Sequence, residues 1–357
     1  MPHRISICQN PNRTSNPESR ISNPGKYHRE MDTFEPRPSL RGGHRMTLFS
    51  WGNPRYFPTL PAPTTRYFDV DEDTRIVAHC HWHPRRWRHA TLLALHGLNG
   101  SSDAHYMKGL ASKAFARGMN VVRLNQRNCG DTEHLSSGLF HSGLTADAAF
   151  VIDELVEVDG LPAIAVAGYS LGGNLALKLA GEYGAHAPAA LVAIAAVSPI
   201  IEIDDCTRAL EQPGNGVYEW NFVKDLKRRM RRKERFWPGH FDLAKLARVK
   251  TVRAFDDTFT APYFGFKSAE DYYYRASALR VADRIRVPTL IITAQDDPFV
   301  PAGPFSDPKL TGNPHIDLRV LAHGGHCGFI GPSNGADDGY WAEREIVAFV
   351  ERHAATM

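Results

Sequence analysis

Ser170 lies in the pentapeptide Gly168-Tyr169-Ser170-Leu171-Gly172, between the apolar run Ile164-Ala165-Val166-Ala167 and the helix-like run Asn174 to Ala180. A serine at such a strand-to-helix turn is a nucleophile elbow. The turn is too tight for side chains at 168 and 172, and the hydroxyl is presented at a helix N-terminus. The Leu171 N–H is then placed to hold negative charge developing on a substrate oxygen. A serine hydroxyl is a weak nucleophile at neutral pH, so it needs a base to take its proton and an acid to orient that base. Behind an elbow of this kind the acid comes first along the chain and the histidine after it.

The acid is expected after a later strand, and Gln295-Asp296-Asp297-Pro298 follows the apolar run Leu290 to Ala294. Two carboxylates compete. Ala294, three residues before Asp297, and Val300-Pro301, three and four after it, favour Asp297. The alternative for Asp296 is a turn or helix cap. The base is expected on His323-Gly324-Gly325-His326-Cys327-Gly328-Phe329, whose glycines allow a close approach to the elbow. His326 is favoured, and His323, directly behind the strand, reads as a structural histidine. A second oxyanion donor is expected from His96-Gly97-Leu98-Asn99-Gly100, after Leu92 to Leu95, with Leu98 N–H pairing that of Leu171. His96 itself either touches substrate or holds this loop by hydrogen bonds.

These residues require a scaffold of alternating strands and helices. Tyr67 to Val70 and Arg75 to Trp82 form a hairpin around the acidic turn at 71–73. Strands follow at 91–95, 120–124, 161–167, 191–197, 287–293 and 315–321, with helices at 104–117, 144–158 and 341–353. Such alternation predicts a mostly parallel central sheet with helices on both faces. Between Ser198 and Arg286 the rhythm breaks into helical segments without a strand, which predicts a helical cap insertion at about 200–280. Residues 1–45, rich in Asn, Pro, Ser and Arg, read as a disordered or mis-annotated N-terminal extension, with Met31 and Met46 as alternative starts. The remainder, 46–357, is then the catalytic domain. Trp51 to Pro63 is expected on the surface.

Composition narrows the classes. The chain has 357 residues and a net charge of +3, so nothing global demands nucleic acid. Five scattered cysteines, Cys8, Cys80, Cys129, Cys206 and Cys327, fit a reduced, cytoplasmic protein better than a disulfide framework. No run reaches the ~20 apolar residues of a membrane helix.

Taken together, His96 to Ser102, Asn125-Gln126-Arg127-Asn128-Cys129-Gly130, His141-Ser142-Gly143, Gly168 to Asn174, Asp296-Asp297-Pro298-Phe299 and His323 to Phe329 resemble the YheT-like branch of the α/β-hydrolases, which is related to the mammalian ABHD-type hydrolases. The resemblance spans roughly 65–350 and implies the α/β-hydrolase fold. It also implies a triad of Ser170, Asp297 and His326, acting on carboxylic or lipid esters without a metal or organic cofactor. Asn128 departs from the glycine usual there, and an asparagine can take the left-handed backbone such a position needs. An acyltransferase, thioesterase or amidase would use the same residues, and a non-catalytic binding module on this fold is a further alternative.

Several features fall outside the triad. His79, His81 and His83 share one strand face, either as a metal site or as a polar edge. The run Lys224, Lys227, Arg228, Arg229, Arg231, Arg232, Lys233 and Arg235, with Trp220, Phe222 and Trp237 near it, reads as a solvated helix face or as a peripheral membrane contact. Tyr272-Tyr273-Tyr274 and Tyr263 to Phe266 line an acyl pocket or fill a core.

Overall fold

The computed structural model describes residues 34–335 and 337–355. Among them an eight-stranded sheet runs in the order β1-β2-β4-β3-β5-β6-β7-β8. The strands are β1 (Thr64–Asp71), β2 (Thr74–His81), β3 (Thr91–Leu95), β4 (Asn120–Asn125), β5 (Ile164–Tyr169), β6 (Leu191–Val197), β7 (Thr289–Ala294) and β8 (Ile316–Leu321). The β1-β2 hairpin is antiparallel and joins β4 antiparallel, while every pairing from β4 to β8 is parallel.

The central strands are apolar on both faces, as a covered parallel sheet requires. Along β3, Leu93 and Leu95 enter one core and Leu92 and Ala94 the other. The first core is closed by α3 (Thr145–Glu157) and α4 (Leu171–Tyr183), through Val151, Leu155, Leu175 and Leu179. The second is closed by α2 (His105–Ala116) and the C-terminal helix Trp341–Ala354, through Leu110, Ile346 and Val350. The chain from β6 to β7 carries no strand. It holds α5 (Ile203–Leu210), α6 (Gly216–Glu234), a π-helical turn at Asp256–Thr260 and the helix Ala269–Ala276.

The N-terminal expectation needs correction. Residues 34–45 are packed chain, because widely spaced apolar residues within a polar composition find a distant partner. Phe34 packs on Phe329 and Trp341, Arg37 N–H donates to Ile330 O at 2.9 Å, and Leu40 is buried. Helix α1 (Gly43–Gly52) starts before residue 46, and Met46 is fully buried. Residues 1–33, the rest of the expected extension, lie outside those described. Trp51 and Tyr56 are exposed, while the Arg55 guanidinium is buried against Glu343.

Candidate active site

Ser170 joins β5 to α4 with φ 55° and ψ −116°, a backbone that side-chain-bearing residues rarely adopt. The close packing of the turn explains its glycines. A Cβ on Gly168 would collide with Gly172 O, and one on Gly172 with Leu95 O and His96 O. Ser170 N–H donates to Val197 O at 2.9 Å, which ties the elbow to the end of β6. Leu171 opens α4, so its N–H belongs to a helical first turn that lacks intrahelical acceptors.

The loop after β3 abuts the serine: a Cβ on Gly97 would stand 3.2 Å from Ser170 Cβ. Gly97 N–H donates to Tyr106 Oη at 3.1 Å, and Asn99 takes a left-handed backbone with φ 58°. His96 is fully buried and both its ring nitrogens are engaged. Its Nε2 accepts from Gln126 N–H at 3.2 Å and its Nδ1 lies 2.8 Å from Gly97 O. Burial holds its pKa down at about 4, so it is neutral and braces the loop.

His326 Nδ1 stands 2.9 Å from Asp297 Oδ2. The Asp297 side chain is fully buried, and its Oδ1 accepts the N–H groups of Phe299 at 3.1 Å and Val300 at 3.0 Å. Asp296 faces elsewhere, 3.2 Å from His323 Nδ1, and accepts Gly325 N–H at 2.9 Å. The two Asp–His pairs are therefore separate. The residue after His326 is tied to the strand end that also holds the serine: Cys327 N–H donates to Ser198 Oγ at 3.1 Å and Cys327 Sγ lies 3.7 Å from Val197 O, the acceptor of Ser170 N–H. Burial opposes protonation of His326, but its interactions with Cys327 and with the Asp297 carboxylate outweigh it and raise its pKa to about 10. Phe299 packs on the imidazole with centroids 4.1 Å apart.

Ser170, Leu98, Leu171 and Phe299 line one cavity of about 100 Å³. Its lining also includes Tyr272, Tyr273 and Phe255, so the two tyrosines serve both a small core and the cavity. Asp256 also lines it, buried, with its oxygens accepting from Thr260 Oγ1 at 2.7 Å and Tyr273 Oη at 2.8 Å. Burial raises its pKa to about 6. His141, in contact with Phe264, Phe266 and Tyr272, is held neutral by burial at a pKa of about 3.

Several other residues support the site, and of these Thr47 belongs to no motif. Asn174 Nδ2 donates to Ser142 O and Ala276 O while its Oδ1 accepts from Ala278 N–H, locking α4 to two distant segments. Thr47 Oγ1 accepts His326 N–H at 2.8 Å. Asn128 has φ 63°, and its Oδ1 accepts from the buried Lys233 ammonium at 2.7 Å, a contact glycine could not offer. Of the three histidines expected on one strand, His79 and His81 lie on β2, where His79 bonds Ser102 Oγ and His81 accepts from Arg123, while His83 lies past the strand end and stacks on Phe115. Among the described residues no His, Cys, Asp and Glu group is arranged to hold a metal ion, and no helix is long and apolar enough to cross a membrane.

A doubly covered parallel sheet with a strained serine between β5 and α4 defines an α/β-hydrolase. The model of the alpha/beta hydrolase fold family matches residues 90–332, and the chain belongs to that family. Within it, the likeness is to the YheT branch. YheT of Escherichia coli (strain K12), an esterase candidate by name, is 36% identical over 242 residues, which are 67% of this chain and 70% of YheT. The phospholipase ABHD3 of Mus musculus is 29% identical over 242 residues, 67% of this chain and 58% of that protein. Among solved structures, the Pyrococcus furiosus esterase Pf2001 matches with a TM-score of 0.55 at 16% identity, over 84% of this chain and 95% of that one, a likeness of fold. The chain is a hydrolase of the esterase and lipase type.

Proposed function

We propose that the protein hydrolyses carboxylic esters, lipid esters included, through an acyl-enzyme on Ser170. The observation that carries this reading is the Asp297–His326 pair, whose histidine lies on a loop bonded to the strand end that also holds the serine. Ser170 Oγ attacks the ester carbonyl as His326 Nε2 takes its proton. Asp297 fixes the Nδ1–H tautomer and stabilises the imidazolium. The N–H groups of Leu98 and Leu171 receive the oxyanion. His326 then protonates the leaving alcohol, and water activated by the same imidazole releases the acid. The steps need no cofactor. The segment at about 200–280 serves as a helical cap, and its apolar wall in the serine cavity suits an acyl chain. The phospholipase among the relatives supports lipid esters within the range. The free cysteines, Cys80, Cys129, Cys206 and Cys327, fit a cytoplasmic setting.

Hydrolysis of p-nitrophenyl esters from acetate to palmitate, with Ser170→Ala beside the wild type, tests the reading. The expected result is turnover that falls ~10⁴-fold or more in the variant. Turnover kept by Ser170→Ala would sink it.

A further inference from the structure

Helix α6 presents Phe222, Leu226 and Arg229, one face at i, i+4 and i+7, to the cavity that holds Ser170. The helix is fixed there at both ends of this face. Asn99 of the oxyanion loop donates to Phe222 O at 3.0 Å, and the Lys233 ammonium donates to Asn128 Oδ1. The basic residues around Arg229 have other business. Arg232 pairs with Asp131 at 2.6 Å and Glu133 at 2.5 Å, Lys233 is buried, and Lys224, Arg228 and Arg231 point to solvent.

Arg229 alone combines a cavity-lining position with an unused guanidinium. Among the described residues it has no hydrogen bond or ion pair, and its Nε is buried without a partner. It lines the same cavity as Leu98, the proposed oxyanion donor. The carboxylate that lines the same cavity, Asp256, is occupied by Thr260 and Tyr273. A partly buried guanidinium whose Nε has no partner gains a bond when an anion arrives, and its fork suits the two oxygens of a carboxylate or phosphate.

We propose that Arg229 is a specificity residue that receives an oxyanionic group, a carboxylate or a phosphate, carried by the ester substrate. The substrate class is thus an ester with an apolar acyl chain and an anionic group near the scissile carbonyl. The proposal rests on the reading of Ser170 as the nucleophile, since it assigns the rest of that nucleophile's cavity.

Binding to the Ser170→Ala variant tests it without turnover. Monobutyl succinate, its neutral methyl ester and butyl phosphate are titrated by calorimetry. The expected result is at least tenfold tighter binding of one or both anions than of the neutral ester. That preference falls to near unity when Arg229→Gln is added, and part of it survives with Arg229→Lys, which keeps the charge but not the fork. Preference for the succinate alone assigns a carboxylate, and for the phosphate alone a phosphate. Equal binding of charged and neutral probes, or a preference that survives Arg229→Gln, overturns the proposal. Arg229→Lys keeps the test decisive if the Gln variant fails to fold. A failed triad would show instead as wild-type turnover in Ser170→Ala, with the binding preference intact.

Discussion

Replacing Asp297 by Asn separates the two adjacent carboxylates more sharply than any other change. In the native site Oδ1 is committed to two backbone N–H groups, at 3.1 and 3.0 Å, and Oδ2 faces His326 Nδ1 at 2.9 Å. An asparagine that keeps the two backbone bonds must turn its NH₂ toward His326. The ring then has to accept at Nδ1 and carry its proton on Nε2, where a base for Ser170 needs a lone pair. The wrong tautomer and the lost stabilisation of the imidazolium predict a fall in kcat of ~10³ to 10⁴, about 4–5.5 kcal/mol of transition-state stabilisation. KM should change little, because Asp297 does not line the cavity. Asp296→Asn removes a carboxylate that braces Gly325 and His323. Its cost is ~1.5–3 kcal/mol of stability for a charge-assisted hydrogen bond, with kcat within about tenfold of wild type. Steady-state kinetics on p-nitrophenyl butyrate, with thermal melts for both variants, reads each effect. If Asp297→Asn kept a tenth or more of wild-type kcat while Asp296→Asn abolished it, the assignment of the acid would be wrong.

Two further outcomes follow from charge. The folded-state pKa of His326 is raised to about 10, so its stabilisation of the fold is full below its unfolded value and fades as pH climbs through about 10. As a base it must be neutral, so kcat/KM should rise with pH along a limb above the ordinary 6.5 of histidine. Cys327→Ala, which removes a group that holds the proton on, should move that limb down, and an unmoved limb would deny the thiol this influence. On the outer side of α6, Lys224, Lys227, Arg231 and Lys250 line a groove beside Trp220, which is 61% exposed and has the Lys224 ammonium 4.8 Å from its ring centroid. Co-sedimentation with phosphatidylserine vesicles should exceed that with phosphatidylcholine and weaken with salt, at ~1 kcal/mol per lysine near the surface, whereas equal binding to both would rule out an electrostatic contact.

The sheet was legible because its signals are local. Runs such as Leu92 to Leu95 and Leu191 to Val197 are apolar without alternation, and each is bounded by glycine, proline or polar residues. The elbow was legible because the turn admits only glycine at 168 and 172, so packing leaves a mark in sequence. The spacing that favours Asp297 over Asp296 has a physical counterpart, a turn in which Val300 N–H closes on Asp297 Oδ1. The basic run was less legible. Eight cations within twelve positions look alike on paper, yet one is buried on Asn128, one is paired to Asp131 and Glu133, and one lines the cavity. Which face of α6 turns inward depends on contacts over a hundred residues away, and no periodicity in the helix records them.

The hardest part to read was the segment before the first strand, and it bears directly on the chemistry. Helix α1 has no clean apolar stripe, so pattern alone gives it no side to bury. Its burial comes from backbone proximity. A Cβ on Gly325 would stand 2.6 Å from Gly43 O and 2.8 Å from Thr47 Oγ1, and a Cβ on Gly43 would collide with Asp296 O. The same helix reaches α6, where His44 stacks on Tyr218 with its Nδ1 3.1 Å from the hydroxyl. One short segment thus touches the acid loop, the histidine loop and the helix that carries Arg229. The motifs name the proposed reacting residues, but the loops that carry two of them rest on a buttress whose residues, Gly43, His44 and Thr47, belong to no motif. A tight contact selects for smallness and shape at a few positions, and a single sequence displays neither.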